Sequence, residues 1–149
     1  MNKRPTLSEY VKRKNGLPIG AKGSLSNMLN RSLGADSFAK FWQYWNPIWG
    51  YYLGKFIYAP LKPHIGKGGA TLATFTASGV LHDLAVMLLK WKLFFHITPW
   101  FFLMGLSVLI TSKFQFRYKK LPWLARALIN SSFIFTNLGL VIAIKSQLV

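Results

Sequence analysis

The sequence predicts an all-α, multi-pass membrane protein, and three observations lead to that prediction. Of the 149 residues, 52% are hydrophobic and 16% are aromatic, and the mean hydropathy is positive at +0.27. The net charge is nevertheless +16, because 19 Lys and Arg residues stand against 3 Asp and Glu residues. Three apolar runs are each about 20 residues long, enough for a helix to cross a hydrocarbon core of about 30 Å. A disordered chain and a soluble basic domain are both disfavoured, because neither is this apolar.

Residues 1–40 predict a basic, loop-rich cytoplasmic arm. They contain no long apolar run, and Pro and Gly residues interrupt them repeatedly. The basic residues of this arm are Lys3, Arg4, Lys12, Arg13, Lys14, Lys22, Arg31 and Lys40. Their charges must remain in water or against lipid headgroups. Ser24 and Asn27 precede an apolar pair, which predicts that a short helix begins near Ser24.

Residues 41–149 are predicted to form the membrane domain, which opens with an aromatic segment at residues 41–61. This segment holds nine of the 24 aromatic residues in the chain. Pro47 disfavours helix at Asn46, so one straight spanning helix is not expected here. Because Trp and Tyr side chains prefer the headgroup region of a bilayer, the segment predicts a pair of interfacial or re-entrant helices.

Three transmembrane helices are predicted after the aromatic segment, at about residues 69–89, 93–112 and 122–144. The first contains one acidic residue, and residues 93–112 and 127–144 carry no formal charge when histidine is neutral. Pro99 is expected to kink the second helix rather than end it, because neighbouring groups can satisfy the carbonyl that loses its partner. A turn is expected at residues 67–69, where Lys-Gly-Gly precedes the first span.

The distribution of Lys and Arg outside these spans predicts the orientation of the chain. Residues 1–68 contain eleven of them, and residues 113–120 add four at the same side of the membrane. The opposite side has only Lys90, Lys92 and Lys145. The positive-inside rule therefore predicts a cytoplasmic N-terminus and an external C-terminus.

A polar stripe runs along the first predicted span. With 100° between successive residues, four side chains fall within an arc of about 80°. They are Thr71, Thr74, Ser78 and His82. Such a stripe is expected to face a protein interior or a wet cavity, with His82 as its titratable member. Two interpretations remain open: a functional site, or hydrogen bonds that hold helices together at around 0.6 kcal/mol each.

Asp83 follows His82 but points about 100° away from it around the helix, so the two need not form a pair. An unpaired carboxylate at the centre of a span costs roughly 2.5–3.5 kcal/mol, which predicts protonation, a water cavity or a basic partner. Arg126 is not expected to be that partner, because the predicted topology places it near the cytoplasmic face. Asp83 is expected to have a structural or orienting role.

Two segments, residues 41–46 (FWQYWN) and residues 75–83 (FTASGVLHD), together resemble the membrane-bound O-acyltransferase family, particularly its wax-synthase-like branch. In that family an aromatic segment with a similar asparagine precedes an S-G-x-x-H segment. Asn46 and His82 occupy those positions here and are 36 residues apart. The chain resembles the C-terminal half of family members.

The resemblance implies that an acyl group passes from acyl-CoA, or another thioester donor, to a hydroxyl acceptor. The implied catalytic residues are His82 and Asn46, and the implied supporting residues are Trp45, Ser78, Gly79 and Asp83. A neutral imidazole suits this chemistry, because it can take the proton of the acceptor hydroxyl. No metal and no bound cofactor are implied, and the acyl thioester is a co-substrate.

The resemblance also implies partners, because family members have more spans than this chain supplies. Membrane lipids and either a second copy of the chain or a second membrane subunit are therefore expected, in a bacterial cytoplasmic membrane. The alternative is a non-catalytic membrane subunit or scaffold with a degenerate acyltransferase motif. Nucleic-acid binding by the arm is not expected, and a transporter would need paired broken helices.

Overall fold

The computed structural model describes residues 5–147, and 78% of these residues are helical, with no strand among them. The predicted all-α membrane fold is therefore confirmed. The helices are α1 (Leu7–Asn15), α2 (Ser24–Leu33), α3 (Phe38–Tyr44), α4 (Pro47–Leu53), α5 (Ala59–Lys90), α6 (Ile97–Lys113) and α7 (Trp123–Ser146). A π-helical turn at Gly54–Tyr58 joins α4 to α5.

Two helical stretches in the described part of the chain are long and apolar enough to cross a membrane. They are Pro47–Lys90, which includes α4 and α5, and α7. Helix α7 covers the predicted last span, residues 122–144, and Pro122 lies immediately before its first residue. Helix α6 has 17 residues and is about 25 Å long, so it is a shorter apolar helix than the predicted second span.

The predicted kink at Pro99 is wrong, because Pro99 is the third residue of α6. In the first turn of a helix the backbone N–H groups have no partner within the helix, so a proline there removes no hydrogen bond. Residues 93–96, which were predicted to be helical, form the connection from α5 instead.

The break before the first predicted span lies at Gly66 rather than at residues 67–69. Gly66 has φ 71° and ψ 176° within α5, a conformation that glycine adopts without steric cost. The predicted break at Asn46 is confirmed, because Asn46 has φ 41° and separates α3 from α4. Helix α4 does not stand apart as half of a helix pair, however, since it continues through the π-helical turn into α5.

The N-terminal arm is more helical than the loop-rich arm that was predicted. A capping box begins α1, in which Thr6 and Glu9 bond to each other's backbone N–H groups, and Gly16 ends the helix with φ 80°. Helix α2 begins at Ser24, as predicted. Lys3 and Arg4 lie outside the described residues.

Buried amide and backbone hydrogen bonds attach the end of α2 to α7. The Nδ2 atom of Asn130 donates to the carbonyl oxygens of Leu33 (2.9 Å) and Ala35 (3.0 Å). The backbone N–H of Tyr118, in the loop before α7, donates to the carbonyl of Asp36 (3.0 Å). The basic N-terminal segment and the basic loop at residues 114–122 therefore lie at the same end of the helices.

The core lies where the aromatic helix α3 packs against α6 and α7. Phe38 and Phe41 are each 1% exposed and pack with Met104 and Val108 of α6. The ring of Phe38 also stacks on Phe133 of α7, with 4.8 Å between centroids. Aromatic side chains thus serve as the core of this small bundle and lie beside the candidate site described below.

Gly79 allows α5 and α6 to pack closely. A Cβ atom at this position would lie 2.6 Å from the Cα atom of Thr98 and 3.0 Å from the Cβ atom of Phe101. Because one of these is a backbone atom, a larger residue cannot be accommodated by turning a side chain. The two helices would have to separate.

We expect the substitution Gly79→Ala to lower the free energy of unfolding by roughly 1–3 kcal/mol through overpacking. Gly139→Ala is the matched control, because nothing lies within 4 Å of a Cβ atom at that position of α7. Alanine is the better helix former, so the control should be neutral or slightly more stable. Thermal unfolding in detergent would measure both, and equal midpoints for the two variants would contradict the proposed close contact.

Candidate functional site

A cavity of about 650 Å³ lies between the aromatic helices, α5, α6 and α1. Four sequence-predicted site residues line it, and they are Trp45, Asn46, Ser78 and His82. Apolar side chains such as Leu53, Phe75 and Leu109 form much of the remaining wall. The cavity therefore combines a long apolar surface with a small number of polar groups, as ligand sites commonly do.

His82 lines this cavity, and one of its ring nitrogens is held by a hydrogen bond. Its Nδ1 atom lies 2.6 Å from the carbonyl oxygen of Ser78, one turn earlier in α5. Because a carbonyl oxygen can only accept, Nδ1 carries the proton, and the lone pair of the neutral ring is on Nε2. The ring also stacks on Phe101 at 5.1 Å and meets the edge of Trp49 at 5.7 Å. These contacts fix the orientation of an acceptor nitrogen.

Trp49 links Asn46 to Ser78, which lies one turn before His82. Its backbone N–H donates to the Oδ1 atom of Asn46 (3.2 Å), and its indole N–H donates to the hydroxyl of Ser78 (2.9 Å). Trp49 was not singled out from the sequence, although it lies three residues after Asn46 in the aromatic segment. The N-cap position of Asn46 before a proline was the signal that could have identified it.

Asn46 lies at the junction of α3 and α4, where its left-handed conformation turns the chain. Its Oδ1 atom caps α4, and its Nδ2 atom makes no hydrogen bond to the residues that the structure describes. The amide can therefore donate from Nδ2 to a group in the cavity. Trp45, the preceding residue, stacks on Phe41 at 5.5 Å and is half-exposed.

Asp83 does not line the cavity, and backbone N–H groups and a hydroxyl, rather than a basic partner, bond to its carboxylate. Its carboxylate is 1% exposed and caps the first turn of α6. The Oδ1 atom accepts from the backbone N–H groups of His96 (3.1 Å) and Ile97 (2.9 Å). The Oδ2 atom accepts from the backbone N–H (2.8 Å) and the hydroxyl (2.6 Å) of Thr98. The N-terminus of α6 stabilises the negative charge of Asp83. Because Asp83 belongs to α5, these hydrogen bonds also fix the position of α6 against α5.

The predicted polar stripe faces the cavity, as expected from its periodicity. The hydroxyls of Thr71 and Thr74 donate to carbonyls of their own helix, at residues Lys67 and Ala70. Within the described residues, Ser78 is the stripe member with a hydrogen bond to another helix, which it accepts from Trp49, and His82 reaches neighbouring helices through its ring contacts. The two threonines supply a polar wall rather than contacts between helices.

Helix α1 adds charged residues to the cavity that the sequence did not predict there. Arg13 and Lys14 of α1 line the cavity together with Lys67 of α5. The Nζ atom of Lys14 donates to the Oε1 atom of Gln43 (3.0 Å). Burial, with a smaller contribution from the guanidinium of Arg13, lowers the pKa of Lys14 below its usual value. The sequence had placed these charges in water or against headgroups.

A second concave surface, of about 700 Å³, lies on the opposite face of α5. Its lining is apolar apart from Thr76, and no titratable side chain contributes to it. It lacks the groups for acid–base chemistry. No group of three or more His, Cys, Asp or Glu side chains that could hold a metal ion is found within residues 5–147.

The model of the family described as MBOAT, membrane-bound O-acyltransferase, matches residues 24–148. The matched region contains every cavity residue named above except Arg13 and Lys14 of α1. Comparisons with curated proteins and with solved structures give no match.

Proposed function

The chain belongs to the membrane-bound O-acyltransferase family, and from this premise we propose that it transfers an acyl group from acyl-CoA, or another thioester donor, to a hydroxyl acceptor. The reaction would take place in the cavity of about 650 Å³. His82 is the proposed general base, and Asn46 is the proposed donor to the acyl carbonyl.

One observation carries this proposal: the carbonyl of Ser78 holds the Nδ1 proton of His82, so that Nε2 is the nitrogen available as a base. In the proposed step Nε2 takes the proton of the acceptor hydroxyl while the hydroxyl oxygen attacks the thioester carbon. A tetrahedral intermediate forms, its C–S bond breaks, and the protonated ring returns the proton to the departing thiolate. An ester and a free thiol are the products.

The neighbouring groups support the charges that develop in this step. As His82 becomes positively charged, its hydrogen bond to the carbonyl of Ser78 becomes charge-assisted and strengthens. Nδ2 of Asn46 is suited to donate to the negative oxygen of the intermediate, because its Oδ1 atom is already held by the N–H of Trp49. The apolar wall would accommodate an acyl chain.

We further propose that the N-terminus lies in the cytoplasm, since the two basic segments lie at one end of the helices. At the other end Lys145 donates to the carbonyl of Phe95, near Lys90 and Lys92. The membrane is proposed to be a bacterial cytoplasmic membrane. A second copy of the chain or a second membrane subunit is proposed to complete the enclosure, and membrane lipids surround it.

The alternative is a non-catalytic membrane subunit, and the hydrogen bond between Ser78 and Trp49 is the observation that favours it. In that case the polar side chains of the stripe serve to hold helices together by hydrogen bonds and take no part in a reaction. The alternative requires that no thioester is consumed, whereas the proposed function requires turnover. The two can therefore be separated by one assay.

That assay would combine the full chain in lipid nanodiscs with labelled acyl-CoA and primary alcohols of increasing length. We expect ester and free CoA to form in equal amounts, because each transfer releases one thiol. Free CoA without ester would indicate thioester hydrolysis instead. Absence of both products with every alcohol, from protein that unfolds cooperatively, would contradict the proposed function and support the subunit alternative.

A further inference from the structure

Exposed cations and exposed aromatic rings lie together in the connection from α6 to α7, which we call the α6–α7 loop (residues 114–122). Phe114 is 75% exposed and Phe116 is 49% exposed. The exposed cations, one at the end of α6 and three in the loop, are Lys113, Arg117, Lys119 and Lys120. The loop therefore presents two kinds of side chain that need different surroundings.

The chain supplies no carboxylate to these cations. The loop contains no Asp or Glu, and the one ion pair within residues 5–147 joins Asp36 to Lys40 (2.9 Å). The other two acidic residues of the chain are Glu9, which caps α1, and Asp83, which caps the opposite end of α6. The negative charge that balances this loop therefore comes from outside the chain.

The loop lies where a membrane surface would be. It leads into α7, which is long and apolar enough to cross a membrane, and Trp123 at the start of α7 is partly exposed. Helix α6 is about 25 Å long, shorter than a hydrocarbon core of about 30 Å. The residues that follow it are therefore close to the boundary between hydrocarbon and headgroups.

Hydrogen bonds fix the backbone of the loop. The buried Tyr118 donates from its backbone N–H to the carbonyl of Asp36 (3.0 Å) and from its hydroxyl to Oδ1 of Asn130. The backbone N–H of Phe116 donates to the carbonyl of Thr111 (2.9 Å). The buried tyrosine thus holds the loop against α7 and the turn before α3, while the cations and phenylalanines on either side of it remain exposed.

One environment meets both needs of the loop. Exposed phenylalanine rings are stabilised where apolar groups cover them, and unpaired cations are stabilised beside negative charge. Neutral headgroups would provide the apolar boundary without net charge, and a soluble phosphate would provide charge without an apolar boundary. The surface of an anionic bilayer provides both within the span of a few residues.

We propose that the α6–α7 loop is a docking surface for anionic phospholipid headgroups. Arg117 forms paired hydrogen bonds to phosphate oxygens, and the lysines contribute point charges. The rings of Phe114 and Phe116 enter the boundary of the acyl chains. None of residues 113–122 lines the cavity of the candidate site, so the inference does not depend on the proposed function.

The test is direct binding of short-chain phosphatidylglycerol and phosphatidylcholine to the full chain in neutral detergent, measured by thermophoresis. We expect phosphatidylglycerol to bind at least about tenfold more tightly, and added salt to reduce that preference. Arg117→Gln combined with Lys120→Gln should remove the preference and leave phosphatidylcholine binding unchanged. Phe114→Ser combined with Phe116→Ser should weaken both lipids by a similar factor, because both lipids have acyl chains.

Lys90→Gln combined with Lys92→Gln is the matched control. It also removes two exposed cations from beside exposed apolar side chains, but at the opposite end of the helices. The control should keep phosphatidylglycerol affinity within about twofold of the wild type. An equal loss in the control would show attraction to any exposed cation, and would overturn the inference. Cooperative thermal unfolding of each variant would establish that it is folded.

Other results would also overturn the inference. Equal affinities of the wild type for the two lipids would do so, as would full lipid affinity in both loop variants. Glycerol phosphate that binds as tightly as phosphatidylglycerol would assign the loop to a free phosphate. A loop variant that keeps its phosphatidylglycerol affinity but no longer binds polyglutamate would assign the loop to an acidic protein partner. No acyl donor is present, so none of these results depends on turnover.

Discussion

His82→Ala should reduce acyl transfer by a factor of about 10² to 10⁴, the range that general acid–base catalysis contributes. Without the imidazole, no group at this position takes the proton of the acceptor hydroxyl. The free energy of unfolding should fall by no more than about 2 kcal/mol, because the hydrogen bond of the ring stays within its own helix and only its contacts with Phe101 and Trp49 are lost. Turnover of labelled acyl-CoA and thermal unfolding would be measured on the same preparation.

His96→Ala is the matched control for this experiment. The His96 side chain is exposed, packs on Phe94 at 4.6 Å and does not line the cavity. Its backbone N–H, which bonds to Asp83, is retained in the variant. The control should keep wild-type turnover. Full activity in His82→Ala would refute the assignment of the base, whereas a large loss of stability in that variant would favour the subunit alternative.

Asp83→Ala should destabilise the protein by roughly 3 kcal/mol or more. The substitution leaves three backbone N–H groups and one hydroxyl without their acceptor in a buried site. It also removes a negative charge from the N-terminus of α6. Thermal and denaturant unfolding in detergent would measure the loss, and turnover should fall with it because α6 carries Phe101, which packs on His82.

Asp83→Asn makes the experiment more specific. An amide has one acceptor oxygen in place of two, so about half of the hydrogen bonds should survive and the loss of stability should be intermediate. Glu9→Gln is the control, because Glu9 is an exposed carboxylate that caps the short helix α1. It should change stability little. An Asp83→Ala variant as stable as Glu9→Gln would contradict the capping role.

The sequence predicted which segments are helical better than where each helix begins. Helix α7 agrees with the prediction because both of its signals are local in the sequence: Pro122 lies directly before its first residue, and a long uncharged run follows. Helix α6 begins later than predicted because its N-terminus is capped by Asp83, which is fourteen residues before Ile97 and belongs to another helix. A cap supplied from a distance leaves no signal in the local pattern.

In the candidate site, too, the local features could be predicted from the sequence and the contacts between helices could not. The periodicity of α5 was enough to predict that His82 and Ser78 share a face, because helical geometry is local. The link from Asn46 through Trp49 to Ser78 could not be predicted, because it depends on how α4 packs against α5. The place of Arg13 and Lys14 beside the cavity likewise depends on the contact of Tyr10 with Tyr51.

The sequence alone determined that this is a helical membrane protein of the O-acyltransferase family, with His82 on a polar helix face. Composition, hydrophobic run length and residue spacing along one helix are properties of neighbouring residues, so they can be read without a fold. The tertiary structure decided how Asp83 is stabilised, that Trp49 joins Asn46 to Ser78, and that three cations line one cavity. These features depend on atoms that only packing brings within hydrogen-bond or Coulomb range.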